Sequence, residues 1–272
     1  MKSILNLLKR IINKLIRIGK LQLFKLQQIY FYIAGSKVEC NICHFRAKRF
    51  NSDSWHLYCN CAYCGSGVRQ RLLMASFTNL DKFNFQSIIS NKKVLHFAPE
   101  KALSKIIQSN AGEYKTADFL AEGYKYDKID YNIDISSMRT IPNESFDCVI
   151  ACDVLEHVRN HLGGIKEVHR VLKNGGYCIF TVPQKDNLKI TLEDLTITDK
   201  NERERVFGQF DHMRIYGEDF VSMLEDAGFE TTAVNESYFK KSLVERNVLF
   251  PPVLSKHPLA TNYRKIFFGK KK

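Results

Sequence analysis

Apolar positions along most of the chain fall into short continuous runs separated by stripes of helical period. Lys93–Ala98 (KVLHFA), Asp147–Cys152 (DCVIAC) and Tyr177–Val182 (YCIFTV) are such runs, the pattern of strands buried on both faces. Between the last two, Ile165, Val168, Val171 and Leu172 lie on one face of a helix predicted over Ile165–Lys173. Asn174-Gly175-Gly176 reads as its stop, because glycine accepts the left-handed cap that ends a helix. Strand, helix and strand form a βαβ unit, which predicts an α/β fold with a parallel, doubly wound sheet. Further strands are predicted at Tyr114–Ala117, near Asn132–Ile133, at Phe229–Val234 and, antiparallel, at Arg264–Gly269. Further helices are predicted through Leu80 after Gly65, from Pro99 to about Gln108, and over Glu218–Ala227, closed by Gly228.

Met1–Ile18 has a different pattern. Ile4, Leu5, Leu7, Leu8, Ile11, Ile12, Leu15, Ile16 and Ile18 fill one half of a helical wheel, and Lys2, Lys9, Arg10, Lys14 and Arg17 lie in the other. A basic face opposite a wide aliphatic one suits an anionic membrane surface. Docking on the protein's own body or on a second subunit is the bland alternative, and an organellar presequence a weaker one. The charges recur too often for a bilayer span, and no small-residue cleavage site follows a clean apolar core.

The formal charge of +12 is concentrated at the ends. Residues 1–34 hold seven Lys or Arg and no acid, and Arg264–Lys272 holds five more. The body is therefore near neutral, and a nucleic-acid patch is not needed to account for the total. An apolar content of 44% over 272 residues is enough for one full-sized core plus a small module.

Cys40-x2-Cys43 and Cys61-x2-Cys64 form paired CxxC knuckles. That spacing closes a tetrahedral four-thiolate shell, so a structural Zn2+ is expected there. Cys59 is an alternative ligand and His44 a weaker one. Cys148, Cys152 and Cys178 fall in predicted strands and read as small core residues.

FDCVIACDVLEHV followed by EVHRVLKNGGYCIFTVP resembles the fourth and fifth strands of class I S-adenosylmethionine (SAM)-dependent methyltransferases of type 11. The order of a paired-CxxC module, then GSGVRQRLL, then VLHFAPE resembles a bacterial subgroup that carries an N-terminal zinc module. The resemblance covers about residues 38–272 and implies a Rossmann-like seven-stranded sheet and SAM as cofactor. It places the cofactor against the first loop, Phe97-Ala98-Pro99-Glu100, where the family's usual glycines are missing. A turn with negative φ is expected to permit the close approach instead. Asp118, next to Phe119, stands where a Rossmann-type fold binds ribose hydroxyls, with a helix cap as the bland alternative. By resemblance, Asp134, followed by Ile135, lies near the adenine amino group, although Glu122, Asp127 and Asp130 compete in sequence. Asp153, expected as a further cofactor contact, and His157 follow the fourth strand at the ligand-binding edge, with Glu156 between them.

These readings divide the chain into a basic helical segment (1–36), a zinc-ribbon-like module (37–67) and a methyltransferase domain (68–272) with a lid insert (184–216). His212 in that insert and His157 are the candidate general bases. Lid positioning is the alternative for His212, and a structural, helix-starting role for His157. Arg69 and Arg71 contact either an acidic group, the cofactor's carboxylate included, or serve the structure. The expected activity is O- or N-methylation of a small-molecule or carbohydrate- or lipid-linked acceptor by a cytoplasmic protein, peripheral at the inner membrane face through residues 1–34. The (Asp/Asn)-Pro-Pro-(Tyr/Phe) tetrad of nucleobase methylation is absent, which disfavours nucleic acid. An RNA methyltransferase and a non-catalytic scaffold are the rival readings.

Overall fold

The computed structural model of the chain describes residues 35–53, 55–119 and 129–272, together with Gly19 and Leu26. The amphipathic segment Met1–Ile18, Glu122 and Asp127 lie outside the described residues. Among the described residues no helix is long and apolar enough to cross a membrane.

In chain order the elements are β1 Val38–Glu39, β2 Arg46–Ala47, α1 Val68–Asn79, α2 Phe85–Ile88, β3 Lys93–Phe97, α3 Lys101–Asn110, β4 Glu113–Asp118, β5 Tyr131–Asn132 and β6 Phe146–Cys152. There follow α4 His161–Val171, β7 Leu172–Thr181, β8 Leu192–Glu193, α5 Lys200–Phe207, β9 Arg214–Ile215, α6 Phe220–Asp226, β10 Phe229–Val234, α7 Lys241–Asn247 and β11 Ile266–Lys271. Seven strands form one sheet in the order β10-β11-β7-β6-β3-β4-β5. β5, β4, β3, β6 and β7 are parallel, and β11 runs antiparallel between β10 and β7. The strand order reverses between β3 and β6, which puts a ligand crevice at their carboxyl ends.

Alternation along the central strands builds two cores. Val94, Cys148, Ile150 and Ile179 face Leu72, Leu73 and Phe77 of α1 and Leu103 and Ile107 of α3. Leu95, Phe97, Val149 and Ala151 face Ile165, Val168 and Val171 of α4 and Phe220 and Leu224 of α6. Both faces of the parallel sheet are thus covered, which is why its strands read as continuous apolar runs.

The Gly-Gly stop does not end the helix. α4 ends at Val171, because Leu172 is already extended (φ −75°, ψ 140°). Asn174–Gly176 lies within β7, where the pairing register with β6 shifts between Phe146 and Cys148. Gly175 takes φ +76° in this irregular segment. At Gly176 a Cβ would lie 2.9 Å from the Asp147 carbonyl oxygen. These glycines therefore serve a strand irregularity, the other common use of the residue.

The N-terminal module packs on the sheet domain through Arg71, whose side chain is fully buried. Its guanidinium donates to the carbonyls of Asn247 (2.8 Å), Cys59 (2.7 Å), Val248 (3.0 Å) and Ser66 and lies over the Phe50 ring, 4.7 Å from its centroid. One buried cation thus joins the second cysteine knuckle, α1 and the end of α7. The structural reading of Arg71 holds.

Candidate active site

The two cysteine knuckles repeat one turn. His44 N donates to Cys40 O at 2.8 Å, and Gly65 N to Cys61 O at 2.9 Å. His44 and Gly65 both have positive φ, +59° and +74°. The four sulfurs of Cys40, Cys43, Cys61 and Cys64 come together, with Cys40–Cys64 at 3.7 Å and Cys43–Cys61 at 3.6 Å. A tetrahedral zinc shell with bonds of about 2.3 Å has sulfur–sulfur edges near ~3.8 Å. The donor set therefore fits Zn2+, and the separations are far beyond a disulfide bond. Cys59 points its thiol to Leu57 O at 3.4 Å, and the His44 side chain is exposed beside Glu39. Neither joins the four.

The second feature is the carboxyl edge of the sheet. β3 ends at Phe97, a core residue, and the chain turns at Ala98 with φ +47°. The expected negative φ is not what the loop adopts. A left-handed alanine stands where glycine would be unstrained. Ala98 N is held to Ala117 O at 2.9 Å, which pins the loop to the end of β4. Pro99 leads to Glu100, the N-cap position of α3, so this helix starts after the proline.

Glu100 is held by α1. Its Oε1 accepts from Arg69 Nη2 at 2.5 Å and from Gln70 Nε2 at 2.7 Å, and Gln70 Oε1 in turn accepts from Gly67 N. Arg69 Nε faces Asp153 Oδ2 at 3.0 Å, and Arg264 Nη2 reaches the same oxygen at 2.5 Å. Thr181 Oγ1 donates to Asp153 Oδ1 at 2.9 Å. Burial works against the Asp153 charge, but Arg264 and then Arg69 hold its carboxyl down at about 2. Arg69 Nη1 and Glu100 Oε2 are buried without hydrogen-bond partners.

Asp118 ends β4 beside this loop. Its Oδ1 accepts from Phe119 N at 2.7 Å, and the Phe119 ring is exposed. Asp134 lies farther along the edge, after β5, and its Oδ1 accepts from Ser136 N (2.7 Å) and Ser136 Oγ (2.8 Å). Ile135 is buried in the core under α4. Asp130 bonds Thr116 N and Oγ1 at 2.9 and 2.8 Å, a structural clasp between β4 and β5.

Next to Asp153 opens a cleft of about 570 Å³. Trp55 and His56 of the module, Arg69 of α1, His212 of the insert and Arg264 line different walls. Glu156 and His157 belong to a 3-10 turn, Leu155–His157, that follows β6. His157 does not start a helix; α4 starts at His161, capped by Asn160 Oδ1. The insert returns to the edge through Gln184 pairing with Tyr216. Fully buried Arg214 fastens it, donating to Leu155 O and Val158 O at 2.6 Å each and to Glu193 at 2.5 Å. This brings His212 to His157, ring centroids 4.8 Å apart. His212 Nδ1 donates to Phe207 O at 3.2 Å, and His157 Nδ1 lies 3.3 Å from Asp211 Oδ2. Burial, and then the His157 charge, pushes His212 down to about 4, so a proton taken there is held weakly. Burial opposes the charged form of His157, but the Asp211 hydrogen bond and the charge of Glu156 raise it above the ordinary range. Burial and then Asp153 push the Glu156 carboxyl up to about 8.

Several residues of this site had no role assigned from the sequence, Trp55, His56, Arg264 and Glu156 among them. Arg264 entered only as the first residue of the predicted last strand and as one of the charges at the basic end. Its signal is topological: an antiparallel last strand starts at the edge where the parallel strands end. Glu156 was named without a function, and only its burial singles it out.

Residues 64–180 match the model of the family described as "Methyltransferase domain". A curated relative, an uncharacterised protein of Methanocaldococcus jannaschii, is 32% identical over 114 residues, which is 41% of this chain and 41% of that protein. The match therefore spans well under half the length of that relative. Among solved structures, an S-adenosylmethionine-dependent methyltransferase from Mesorhizobium loti is 12% identical, covering 67% of this chain and 92% of that one with a TM-score of 0.46. The 1,6-didemethyltoxoflavin-N1-methyltransferase of Burkholderia thailandensis is 11% identical, covering 75% and 78% with a TM-score of 0.46. These two are distant likenesses of fold. The segment that matches the methyltransferase-domain model runs from the second cysteine knuckle through β7 and contains Arg69, Glu100, Asp118, Asp153, Glu156 and His157.

Proposed function

We propose that the chain transfers a methyl group from SAM to a small-molecule acceptor, with carbohydrate- and lipid-linked molecules included in that class. The observation that carries the reading is the pair of orphan atoms at the edge of the methyltransferase segment. Buried Arg69 Nη1 is a donor without an acceptor, and buried Glu100 Oε2 an acceptor without a donor. Leaving such atoms unpaired costs about 1–3 kcal/mol each. An amino acid's carboxylate and ammonium satisfy the two together. Asp118 keeps lone pairs beyond the one used by Phe119 N and accepts from the ribose hydroxyls, with Phe97–Pro99 flanking and Asp134 at the adenine end. SAM supplies an already activated methyl group, so the protein's task is to align the acceptor and exclude water. The cleft beside Asp153 holds the acceptor, with His157 and His212 facing its reacting group. Replacing Asp118 by alanine is expected to weaken SAM binding at least ~10-fold, as a hydrogen-bonded diol loses its partner. Equilibrium dialysis with labelled SAM measures this; unchanged affinity would remove Asp118 from the site.

Residues 37–67 hold a structural Zn2+ on Cys40, Cys43, Cys61 and Cys64. The residues before them, 1–36, attach the protein to an anionic membrane surface, a reading supported by their basic amphipathic sequence. Co-sedimentation of the full-length protein with anionic liposomes, lost on deletion of residues 1–34, is the expected result; a full-length protein that stays in the supernatant refutes it.

A further inference from the structure

We propose that Glu156, His157 and His212 bind a divalent transition-metal ion in the cleft, separate from the four-cysteine site. One ligand atom from each of the three lies within 4.8 Å of the others. The groups around them have the arrangement that metal-bound imidazoles require. His212 Nδ1 donates to the Phe207 carbonyl, and His157 Nδ1 faces the Asp211 carboxylate. Each outer partner holds the Nδ1 proton, so Nε2 is the nitrogen that would ligate a metal, in His157 once it gives up its second proton to the incoming ion. A second observation is independent of the histidines. Glu156 is 1% exposed, and its Oε2 has no hydrogen-bond partner. A buried carboxyl with an unpartnered oxygen either keeps its proton or meets a cation, and a metal ion displaces that proton.

The ligands are also held in place. Glu156 and His157 sit on the turn that ends β6. His212 arrives on the insert, which is tied to that turn by Met213 N to Glu156 O at 3.0 Å and by Arg214 to Leu155 O and Val158 O. Two imidazoles and one carboxylate suit Zn2+, Fe2+, Co2+ or Mn2+ rather than Ca2+ or Mg2+. Three protein ligands leave at least one coordination position open, and all three residues line the cleft. The ion would therefore meet oxygen atoms of a bound acceptor. Only this last assignment rests on the methyl-transfer reading; the ion itself does not.

The test uses the full-length protein holding one Zn2+ per chain, enough for the four cysteines and none for the cleft, with Mn2+ as probe, because Mn2+ stands at the weak end of the affinity order and does not displace zinc from four thiolates. Electron paramagnetic resonance of free Mn2+ gives the bound fraction. The expected result is saturable uptake of one Mn2+ per chain, weakened at least ~10-fold in both Glu156→Gln and His212→Gln, with zinc content unchanged. Asp211→Asn, which keeps the ligands and alters only their support, is expected to weaken uptake by about 10-fold. No saturable uptake by the wild-type protein overturns the proposal, and so does uptake unchanged in both ligand variants. Calorimetry of the same wild-type sample with S-adenosylhomocysteine separates the two readings. Cofactor binding without Mn2+ uptake refutes the metal site alone, and Mn2+ uptake without cofactor binding refutes the methyl-transfer reading alone.

Discussion

Replacing Cys61 by serine is expected to abolish zinc binding by the N-terminal module and to lower the melting temperature by at least ~10 °C. Structural zinc contributes on the order of 10 kcal/mol in small domains that fold around it. Even half of that, at about 2–4 °C per kcal/mol for a chain of this size, gives the stated shift. The effect should spread beyond the module. Cys40 and Cys61 belong to the same core as Leu72, Phe77 and Val94. Arg71 takes its acceptors from Ser66 and Cys59 on one side and from Asn247 and Val248 on the other. Loss of the knuckle removes half of those acceptors from a buried cation. Trp55 and His56 line the cleft, so ligand binding should weaken in the same variant. Metal analysis and calorimetric melting check the prediction. A zinc-free variant that melts with the wild type would show that the cluster is not structural.

Replacing Arg69 by alanine is expected to cost about 3 kcal/mol or more in stability, because it strips the cation from two carboxylates held at the sheet edge. Glu100 would keep only Gln70, and Asp153 would keep Arg264 and Thr181. Lysine should not restore the site, since one ammonium cannot reproduce the fork that joins both acids. The pH dependence follows from Asp153. Its carboxyl is held down at about 2, against about 3.9 in an unfolded chain. A depressed carboxyl stabilises the fold fully above the unfolded value and loses that contribution as pH falls toward the folded one. Without Arg69 the folded value rises, so the contribution is smaller and its loss is complete at a higher pH. Acid unfolding should therefore begin at higher pH in Arg69→Ala than in the wild type. Urea melts between about pH 2 and 5 test this; parallel stability profiles would mean that Arg69 does not set the Asp153 charge.

The parallel sheet was legible because its central strands are buried on both faces and the helix between β6 and β7 carries one apolar stripe. Cys40, Cys43, Cys61 and Cys64 were legible because ligand spacing within a knuckle is a local property. Long-range consequences of topology were not. Nothing near Arg264 in sequence indicates that it meets Asp153, a contact made because β11 runs antiparallel and starts where the parallel strands end. Ala98 shows the limit of residue-type rules. The loop turns through a left-handed residue, a position that glycine takes without strain, and alanine adopts it with some strain. Gly175 and Gly176 show the converse, since a strand irregularity and a helix stop use the same residues. The grouping of Glu156 and His157 with His212 depends on Arg214 fastening the insert, a contact that spacing does not encode.

The central claim is that the carboxyl edge around Arg69, Glu100 and Asp118 is a SAM site. Titration calorimetry of the zinc-loaded, full-length protein with SAM and with its demethylated product tests it most directly. The account predicts one saturable site for each compound, with dissociation constants in the micromolar range or below, about −8 kcal/mol or tighter. Absence of binding to both compounds, in protein shown to be folded, would contradict it.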